Sequence, residues 1–386
     1  MSAITIYLTD NVVGTLTQLG GSYSFEYSQQ WLTNGFELGP DVPLAQGRQY
    51  SAEAFGFIED ASPDRWGRTL LLRETRTRLK RQKQPARTLT TLDYFLAVSD
   101  VSRMGAVRAW QKDAFQAEGD GVPPMIQLGK LLRASEKVQS GEYDDESIHL
   151  LLAPGSSLGG ARPKASVRDA QGNLYIAKFP KNDDEYSVER WEFIALELAR
   201  RAGCCVAEAR LEHIDGQVIL MSKRFDRAGD TRIHFSSAMN LLALRDGQHS
   251  SYAEIADLMQ QIGGEPKELF RRMVINIMIN NVDDHLRNHG FLRADRGWEL
   301  SPTYDINPIS KFEKAPLLST AIIPEEFEAS VEIAVDNCEF FNLRSAEAAH
   351  ICEEARCAVA TWPEVARAAG ATKREIEAVE SAFSVS

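Results

Sequence analysis

Hydrophobic and polar residues alternate with a period of two in the first part of the chain. The run ITIYLTDNVVGTL places two β-prone stretches around a turn at Asp10 and Asn11, and SYSFEYSQQWL alternates aromatic with polar residues. Pro63 suits a helix start, so the stretch after it is predicted to be helical. Acids, glycines and a Pro-Pro pair then mark residues 111–125 as a boundary. We therefore predict an N-terminal β-rich subdomain over residues 1–110.

Later residues mix strand and helix periods. Residues 148–178 are predicted to form three strands, with a Gly/Ser-rich turn after the first and a loop at 172–173 after the second. Apolar residues recur at helical spacing before Gly203 and again over 265–279, and a hairpin is expected around residues 215–216. The predicted fold class is therefore α+β.

The order of these elements suggests two further domains. A small lobe that carries the Gly-rich loop is predicted over residues 111–225, and a helical large lobe is predicted over residues 226–386.

Composition and charge exclude several classes of protein. Of the 386 residues, 44% are hydrophobic and 25% are charged, which is typical of a folded globular protein rather than a disordered one. The net charge of −12 argues against a protein that coats nucleic acid non-specifically. No signal-peptide pattern opens the chain, and no apolar run approaches the ~20 residues of a membrane span, so we expect a cytoplasmic protein. The five cysteines have no disulfide or C-x-x-C spacing, and we expect reduced, mostly buried thiols.

One segment departs from the acidic balance. Residues 65–87 contain nine basic residues and a single acid, Glu74. They could form a solvated helix face with its following loop, or a docking surface for an acidic partner or a DNA backbone.

A Gly-rich loop and a later lysine could bind phosphate groups. The stretch PGSSLGGARPK, residues 154–164, brings glycines that let backbone N–H groups approach an anion, and Ser156, Ser157 and Lys164 add donors. It does not have Walker A spacing, and alone it could be an ordinary turn. Lys178 ends the next strand, where it could snorkel to solvent or face a negative ligand. A Gly-rich loop followed by a lysine on a strand is the layout with which protein kinases hold nucleotide phosphates.

Residues 280–288, NNVDDHLRN, supply the remaining polar chemistry. Asp283 and Asn288 have the D-x-x-x-x-N spacing of a kinase catalytic loop, in which the Asp accepts the substrate hydroxyl proton and the Asn binds Mg²⁺. Asp305 follows in the turn of WELSPTYDI and offers a second oxygen ligand for a hard cation. Glu189 and Glu192 on the helix before Gly203 are both candidate partners for Lys178, and Glu192 is preferred.

Another reading of the same stretch is a transition-metal hydrolase. His285 and His289 stand four residues apart beside Asp283 and Asp284, as some zinc ligands do. This reading is disfavoured because His289 opens an apparent strand, HGFLRA, where helical spacing would not hold.

Five motifs in this order resemble the HipA family of bacterial serine/threonine kinases, the toxin half of type II toxin–antitoxin pairs. They are SSLGGARPKASV, LYIAKFP, MSKRFDR, NNVDDHLRN and SPTYDI. The resemblance extends from the N-terminal β unit to about residue 320. It implies a bilobed protein-kinase-like fold and the use of ATP and Mg²⁺.

The resemblance also implies roles for individual residues. Asp283 would be the catalytic base, Asn288 and Asp305 would bind Mg²⁺, and Ser157, or with less support Ser156, would be the site of autophosphorylation. The implied nucleotide-binding residues are Gly159, Gly160, Ala161, Arg162, Pro163, Lys164, Lys178, Lys223, Arg224, Phe225, His285, Leu286, Arg287, Asn288, Tyr304 and Asp305. Of these, Lys223, Arg224 and Phe225 would form the hinge near the adenine.

Two departures from the family pattern limit this transfer. Relatives often have Gln before the loop lysine, whereas this chain has ARPK, residues 161–164. Asp284 follows Asp283 where relatives can have Gly. Asp284 could assist the metal or face solvent, and we favour solvent.

The family resemblance further implies partners and a cellular role. A HipB-like helix-turn-helix antitoxin would bind the chain and connect it to operator DNA, and a translation component such as an aminoacyl-tRNA synthetase would be the phosphorylated target. The result would be growth arrest or persistence. The alternative is a catalytically silent nucleotide-binding co-repressor that acts through the antitoxin.

Overall fold

The computed structural model describes residues 3–117, 121–155, 160–295 and 297–383. The chain forms two compact units. The first comprises Met1–Asp183, Ile214–Gln217 and Asp226–Ser236, and the second comprises Asp184–His213, Val218–Phe225 and Ser237–Ser386. The domain limits predicted from the sequence stay predictions.

The described residues contain both strands and helices, and the last part of the chain is helical. The strands are β1 (Ala3–Leu8), β2 (Asn11–Leu19), β3 (Ser22–Tyr27), β4 (Arg48–Ser51), β5 (Val107–Gln111), β6 (Ala114–Phe115), β7 (Lys164–Arg168), β8 (Leu174–Lys178), β9 (Ala209–Ile214), β10 (Gln217–Lys223), β11 (Arg227–Ala228), β12 (Thr231–Arg232), β13 (Phe235–Ser237), β14 (Gly290–Ala294) and β15 (Gly297–Leu300). The helices are α1 (Gln29–Asn34), α2 (Gly56–Asp60), α3 (Arg65–Arg81), α4 (Thr91–Ala97), α5 (Leu128–Ser140), α6 (Asp145–Gly155), α7 (Val188–Arg201), α8 (Ala238–Leu241), α9 (Tyr252–Gln261), α10 (Lys267–Met278), α11 (Val331–Asp336), α12 (Ser345–Ala360), α13 (Trp362–Ala368) and α14 (Lys373–Val379).

An antiparallel six-stranded sheet opens the first unit, with the order β4-β3-β2-β1-β5-β6. The predicted alternation is confirmed, because Ile4, Ile6 and Leu8 of β1 are buried on one face. The first turn lies one residue earlier than predicted, since Leu8 already pairs with Asn11.

The predicted strand before the Gly-rich loop is wrong. Residues 145–155 form α6, and Asp144 accepts the backbone N–H of Ser147 at 2.7 Å, as a helix cap does. Ile148 and Leu151, three residues apart, are buried together on one side of this helix. The loop therefore connects a helix to β7 rather than one strand to another.

Helix α10 anchors the second unit. Its apolar residues, predicted to be buried, are all buried: Leu269, Phe270, Met273, Val274, Ile277 and Met278. Helix α7 also has its predicted apolar face against later helices, and Arg190 on it pairs with Glu375 at 2.7 Å. Gly203 has a φ of 85°, as predicted for the residue after a helix end.

The five cysteines are free thiols, three of them buried, which confirms the prediction. Within the described ranges, no helix combines the length and the apolar composition that crossing a bilayer requires.

Candidate active site

The candidate catalytic loop, residues 280–288, follows directly from buried α10. Asn280 has a φ of 51°, in the left-handed region, and this conformation turns the chain out of the helix. Asp283 is exposed, whereas Val282 and Asp284 on either side of it are buried. The loop therefore presents one carboxylate to solvent from a rigid support.

Asn288 closes this loop on the backbone of Asp283. The Asn288 side-chain Nδ2 donates to the Asp283 carbonyl at 3.1 Å, and the His285 N–H donates to the same carbonyl at 2.9 Å. Leu286 is buried between them. Because the amide nitrogen of Asn288 is used inside the loop, its amide oxygen is the atom available to a cation.

A second loop, which carries Asp305, is bonded to the catalytic loop. The Tyr304 hydroxyl donates to the Arg287 carbonyl at 2.6 Å. Tyr304 directly precedes Asp305 and Arg287 directly precedes Asn288, so this bond brings together the backbones of the two predicted metal ligands. Asp305 is half-buried and has a φ of 55°.

The residues predicted to form the hinge, 223–225, have different partners. The ring of Phe225 lies 5.3 Å from the ring of Tyr304, centroid to centroid. Lys223 instead forms an ion pair with Glu208 at 3.0 Å, and Arg224 is buried. Phe225 therefore contacts the residue that directly precedes Asp305.

Other residues of the catalytic loop are placed as follows. Arg287 pairs with Asp246 at 2.8 Å, so its guanidinium already has a carboxylate partner. His285 is half-buried.

The expectation that Asp284 faces solvent is wrong. Only 1% of Asp284 is exposed, and its carboxylate accepts hydrogen bonds from the Tyr252 hydroxyl at 2.6 Å and the Ser319 N–H at 2.9 Å. Burial raises the pKa of Asp284 to about 7, although these donors act in the opposite direction. Asp284 therefore belongs to the core although it lies next to exposed Asp283. Its carboxylate is buried because two other segments donate hydrogen bonds to it.

His289 is also part of the core. Its Nε2 lies 3.2 Å from the Asp284 carbonyl, and burial lowers its pKa to about 3. It lies directly before β14, the strand that the sequence predicted over HGFLRA. Among the residues that the structure describes, no group of three or more His, Cys, Asp or Glu side chains could hold a metal ion.

The Gly-rich loop belongs to the first unit, and part of it can be described. Ser156, Ser157 and Gly159 lie outside the described residues. Gly160 has a φ of 85°, and the Lys164 Nζ lies 2.6 Å from the point that a Cβ on Gly160 would occupy. Between them, Ala161 is exposed, Arg162 is half-buried and Pro163 is buried, its carbonyl accepting the Phe179 N–H at 2.9 Å. The lysine amine therefore lies close to the loop at a position whose left-handed backbone favours glycine.

Lys164 and Lys178 are directly opposite each other across the β7–β8 pair. Opposed residues of an antiparallel pair point to the same face. Both lysines are buried, so Lys178 does not extend to solvent as the snorkelling alternative requires. Two ammonium groups on one face concentrate positive charge of the kind that a chain of phosphates neutralises.

The two candidate partners of Lys178 are placed in the second unit. Glu189 and Glu192 are both buried on α7 rather than exposed on its surface.

Sequence reasoning missed two residues that hold the end of the Gly-rich loop. Asp64, the N-cap of α3, accepts the Gly160 N–H at 2.6 Å. Trp66 donates from its backbone to the Gly160 carbonyl at 3.1 Å and from its Nε1 to the Lys164 carbonyl at 3.0 Å. Asp64 could be recognised from the sequence as a helix cap, but no signal in the sequence links it to residues about a hundred positions later.

Comparisons with known proteins identify the family of this chain. The family model described as the HipA-like C-terminal domain matches residues 156–363, and that described as the HipA N-terminal domain matches residues 4–107. The serine/threonine-protein kinase toxin HipA of Shewanella oneidensis is 21% identical over 369 residues, a match that covers 84% of this chain and 79% of the relative.

A solved structure of a HipA protein gives the same result for the fold. HipA in a complex with HipB and operator DNA, also from S. oneidensis, matches with a TM-score of 0.66 at 18% identity and covers 98% of this chain and 94% of that chain. The proinflammatory kinase CtkA of Helicobacter pylori matches with a TM-score of 0.41 at 15% identity, over 58% of this chain and 92% of that chain. The predicted α+β, HipA-like fold is confirmed. This chain therefore belongs to the HipA family of kinases.

Proposed function

We propose that this chain is an ATP- and Mg²⁺-dependent serine/threonine protein kinase that acts as the toxin of a toxin–antitoxin pair. The observation that carries the proposal is the hydrogen bond from Tyr304 to the Arg287 carbonyl, because it joins the segments of Asn288 and Asp305. An amide oxygen and a carboxylate are ligands that Mg²⁺ prefers. When bound, Mg²⁺ would neutralise the charge that develops on the transferred phosphoryl group.

In this proposal Asp283 accepts the proton of the attacking hydroxyl. Its exposure allows a polypeptide side chain to reach it, and the two bonds to its backbone carbonyl fix its position. Phosphoryl transfer depends mainly on such positioning, since the protein forms no covalent bond to the phosphate.

Phosphate binding is assigned to the first unit. Gly159, Gly160, Ala161, Arg162, Pro163 and Lys164 would lie against the phosphates, and Lys164 and Lys178 would supply charge. The close approach of the Lys164 amine to Gly160 supports this assignment. Phe225, His285 and Tyr304 would then lie beside the nucleotide, with Lys223 and Arg224 at the hinge. By family resemblance, Ser157 or Ser156 would be the site of autophosphorylation.

The decisive experiment measures Mg²⁺-dependent ATP consumption and phosphate incorporation into the chain. We expect D283N to lower the rate by about 10²–10⁴-fold, the usual contribution of a general base. A wild-type chain that binds ATP without consuming it would instead support the catalytically silent co-repressor. Equal rates in wild type and D283N would remove Asp283 from the mechanism.

We further propose a HipB-like antitoxin as partner, operator DNA as an indirect partner through it, and a cytoplasmic translation component such as an aminoacyl-tRNA synthetase as substrate. Within the described residues, Arg65, Arg76, Lys80 and Lys83 of segment 65–87 are exposed and make no ion pair, whereas Arg78 pairs with Glu74 at 3.2 Å. Exposed cations of this kind suit an acidic protein surface or a phosphate backbone.

Charge reversal tests this surface. The double variant K80E/K83E should weaken assembly with the antitoxin and its operator duplex, most at low salt, while ATP consumption stays unchanged. K130E, which reverses an equally exposed lysine on α5, is the matched control. Unchanged assembly in the double variant would assign segment 65–87 to ordinary solvated surface.

A further inference from the structure

Asp284 collects hydrogen bonds from three separate parts of the second unit. The Tyr252 hydroxyl of α9 donates to its Oδ2 at 2.6 Å, and the Ser319 N–H donates to its Oδ1 at 2.9 Å. The Thr320 hydroxyl donates to its backbone carbonyl at 2.6 Å, and His289 lies 3.2 Å from the same carbonyl. The residue that follows the proposed base is thus fixed through both its side chain and its backbone.

A series of hydrogen bonds leads to Tyr252, and each donor in it is followed by the next acceptor in the same direction. The Asn307 N–H donates to Asn281 Oδ1 at 3.2 Å, and Asn281 Nδ2 donates to Asn276 Oδ1 at 3.0 Å. Asn276 Nδ2 then donates to the Tyr252 hydroxyl at 2.8 Å. Since that hydroxyl accepts from an amide, its own proton is free to go to Asp284. Hydrogen bonds in such a chain polarise one another, and a carboxylate is the strongest acceptor with which a chain can end.

These hydrogen bonds join both ends of segment 307–319 to the catalytic loop. Asn307, two residues after Asp305, begins the chain, and Ser319 donates to the carboxylate where the chain ends. The Ser319 hydroxyl also donates to the Val282 carbonyl at 2.7 Å, directly before Asp283. Segment 307–319 and the catalytic loop are therefore held as a single arrangement. Between these ends the segment exposes Phe312 and Leu317, of which 93% and 56% are accessible.

We propose that Asp284 is a positioning residue whose buried carboxylate fixes Asp283 relative to segment 307–319. This inference rests on the proposed kinase function and deepens it. The hydrogen bonds described for the Asp284 carboxylate come from Tyr252, Ser319 and Thr320, which are not among the proposed nucleotide-binding residues, so its loss should lower the rate of phosphoryl transfer and leave ATP binding intact. Side chains that orient a reacting group through a hydrogen bond change activity by about 10–100-fold when they are removed.

The test compares full-length wild type, D284N, Y252F and the double variant D284N/Y252F. Asparagine keeps the shape of the side chain and one acceptor oxygen, but its nitrogen cannot accept the Tyr252 proton. In ATP consumption with Mg²⁺, D284N should lower kcat about 10–100-fold and change KM for ATP less than twofold. The double variant should be no slower than D284N, because both changes remove the same bond.

Controls separate this inference from the function on which it rests. D257N makes the same chemical change at an exposed position of α9 and should retain wild-type kcat. Nucleotide affinity, measured by calorimetry with the non-hydrolysed combination of ATP and Ca²⁺, should be equal in wild type and D284N. If D284N does not fold, Y252F with a lowered kcat and an unchanged KM gives the same support.

Three results would overturn the proposal while the kinase function stands. They are a wild-type kcat in D284N, additive losses in the double variant, and an equal loss of kcat and ATP affinity. Failure of wild type to consume ATP would instead refute the kinase function itself.

Discussion

Replacing Asp284 by asparagine should remove a pH-dependent part of the stability of the second unit. Burial raises the pKa of Asp284 from its ordinary value of 3.8 to about 7. Between these pH values, native Asp284 holds a proton that the unfolded chain has lost. Its contribution to stability is therefore complete below about pH 4 and is lost progressively as the pH rises to about 7.

The size of this effect follows from the two pKa values. They differ by about three pH units, and each unit corresponds to about 1.4 kcal/mol, so the free energy of unfolding changes by up to about 4 kcal/mol. In a domain of roughly 200 residues, this corresponds to a change in Tm on the order of 10 °C.

The pH dependence that Asp284 gives to stability can be separated from that of the neighbouring groups. Burial raises the pKa of Tyr252 well above its ordinary value and lowers that of His289 to about 3. His289 therefore stabilises the fold above about pH 6.5 and loses that contribution as the pH falls. The charge of Arg272 lowers the pKa of both Tyr252 and His289, and Arg272 itself pairs with Glu268 at 2.9 Å. In wild type the slopes of Asp284 and His289 offset each other between about pH 4 and 6.5, whereas in D284N the slope of His289 remains alone.

Thermal unfolding of full-length wild type and D284N from pH 4 to 8 measures the difference directly. The Tm of wild type minus that of D284N should fall by on the order of 10 °C as the pH rises, since His289 contributes equally to both proteins. D257N, the exposed counterpart, should follow wild type at every pH. Parallel Tm curves for wild type and D284N would refute the assigned pKa of Asp284.

Three further substitutions have defined outcomes. G160A places a Cβ 2.6 Å from the Lys164 Nζ at a φ of 85°, so ATP affinity in calorimetry should fall at least tenfold, whereas an unchanged affinity would remove Gly160 from the phosphate site. Y304F removes the donor to the Arg287 carbonyl, and the loss of about 1 kcal/mol should raise the Mg²⁺ concentration for half-maximal ATP consumption about fivefold; an unaltered Mg²⁺ dependence would contradict the metal assignment. D64A removes a helix cap and the acceptor of the Gly160 N–H, so it should lower Tm and also raise KM for ATP, and a lower Tm with unchanged KM would mean that the cap alone matters.

Local patterns predicted much of the fold. Helix α10 and the hairpin of β9 and β10 were predictable because apolar periodicity and turn residues agree over their full length. The strand predicted before the Gly-rich loop is wrong because a short apolar run, IHLLLAP, fits a buried strand and a buried helix equally well. The capping interaction of Asp144 with Ser147 decides for the helix, and that signal lies before the apolar run.

The candidate site was predictable only as a set of motifs. Spacing identified Asp283 and Asn288, but it could not assign Asp283 to solvent and Asp284 to the core. That difference depends on Tyr252 and Ser319, which lie about thirty residues away on either side. The bond from Tyr304 to Arg287 is likewise a tertiary contact with no local signature.

The distribution of charge along the chain has a consequence for the kinetics of association. Segment 65–87 has a net charge of +8, which leaves −20 for the remaining residues of a chain whose total is −12. The exposed cations of this segment therefore attract an acidic macromolecule at distances beyond contact, whereas the net negative charge of the remaining residues repels it. An acidic partner should then be oriented toward segment 65–87 before any short-range contact forms. The bimolecular association rate constant should fall steeply as added salt shortens the Debye length.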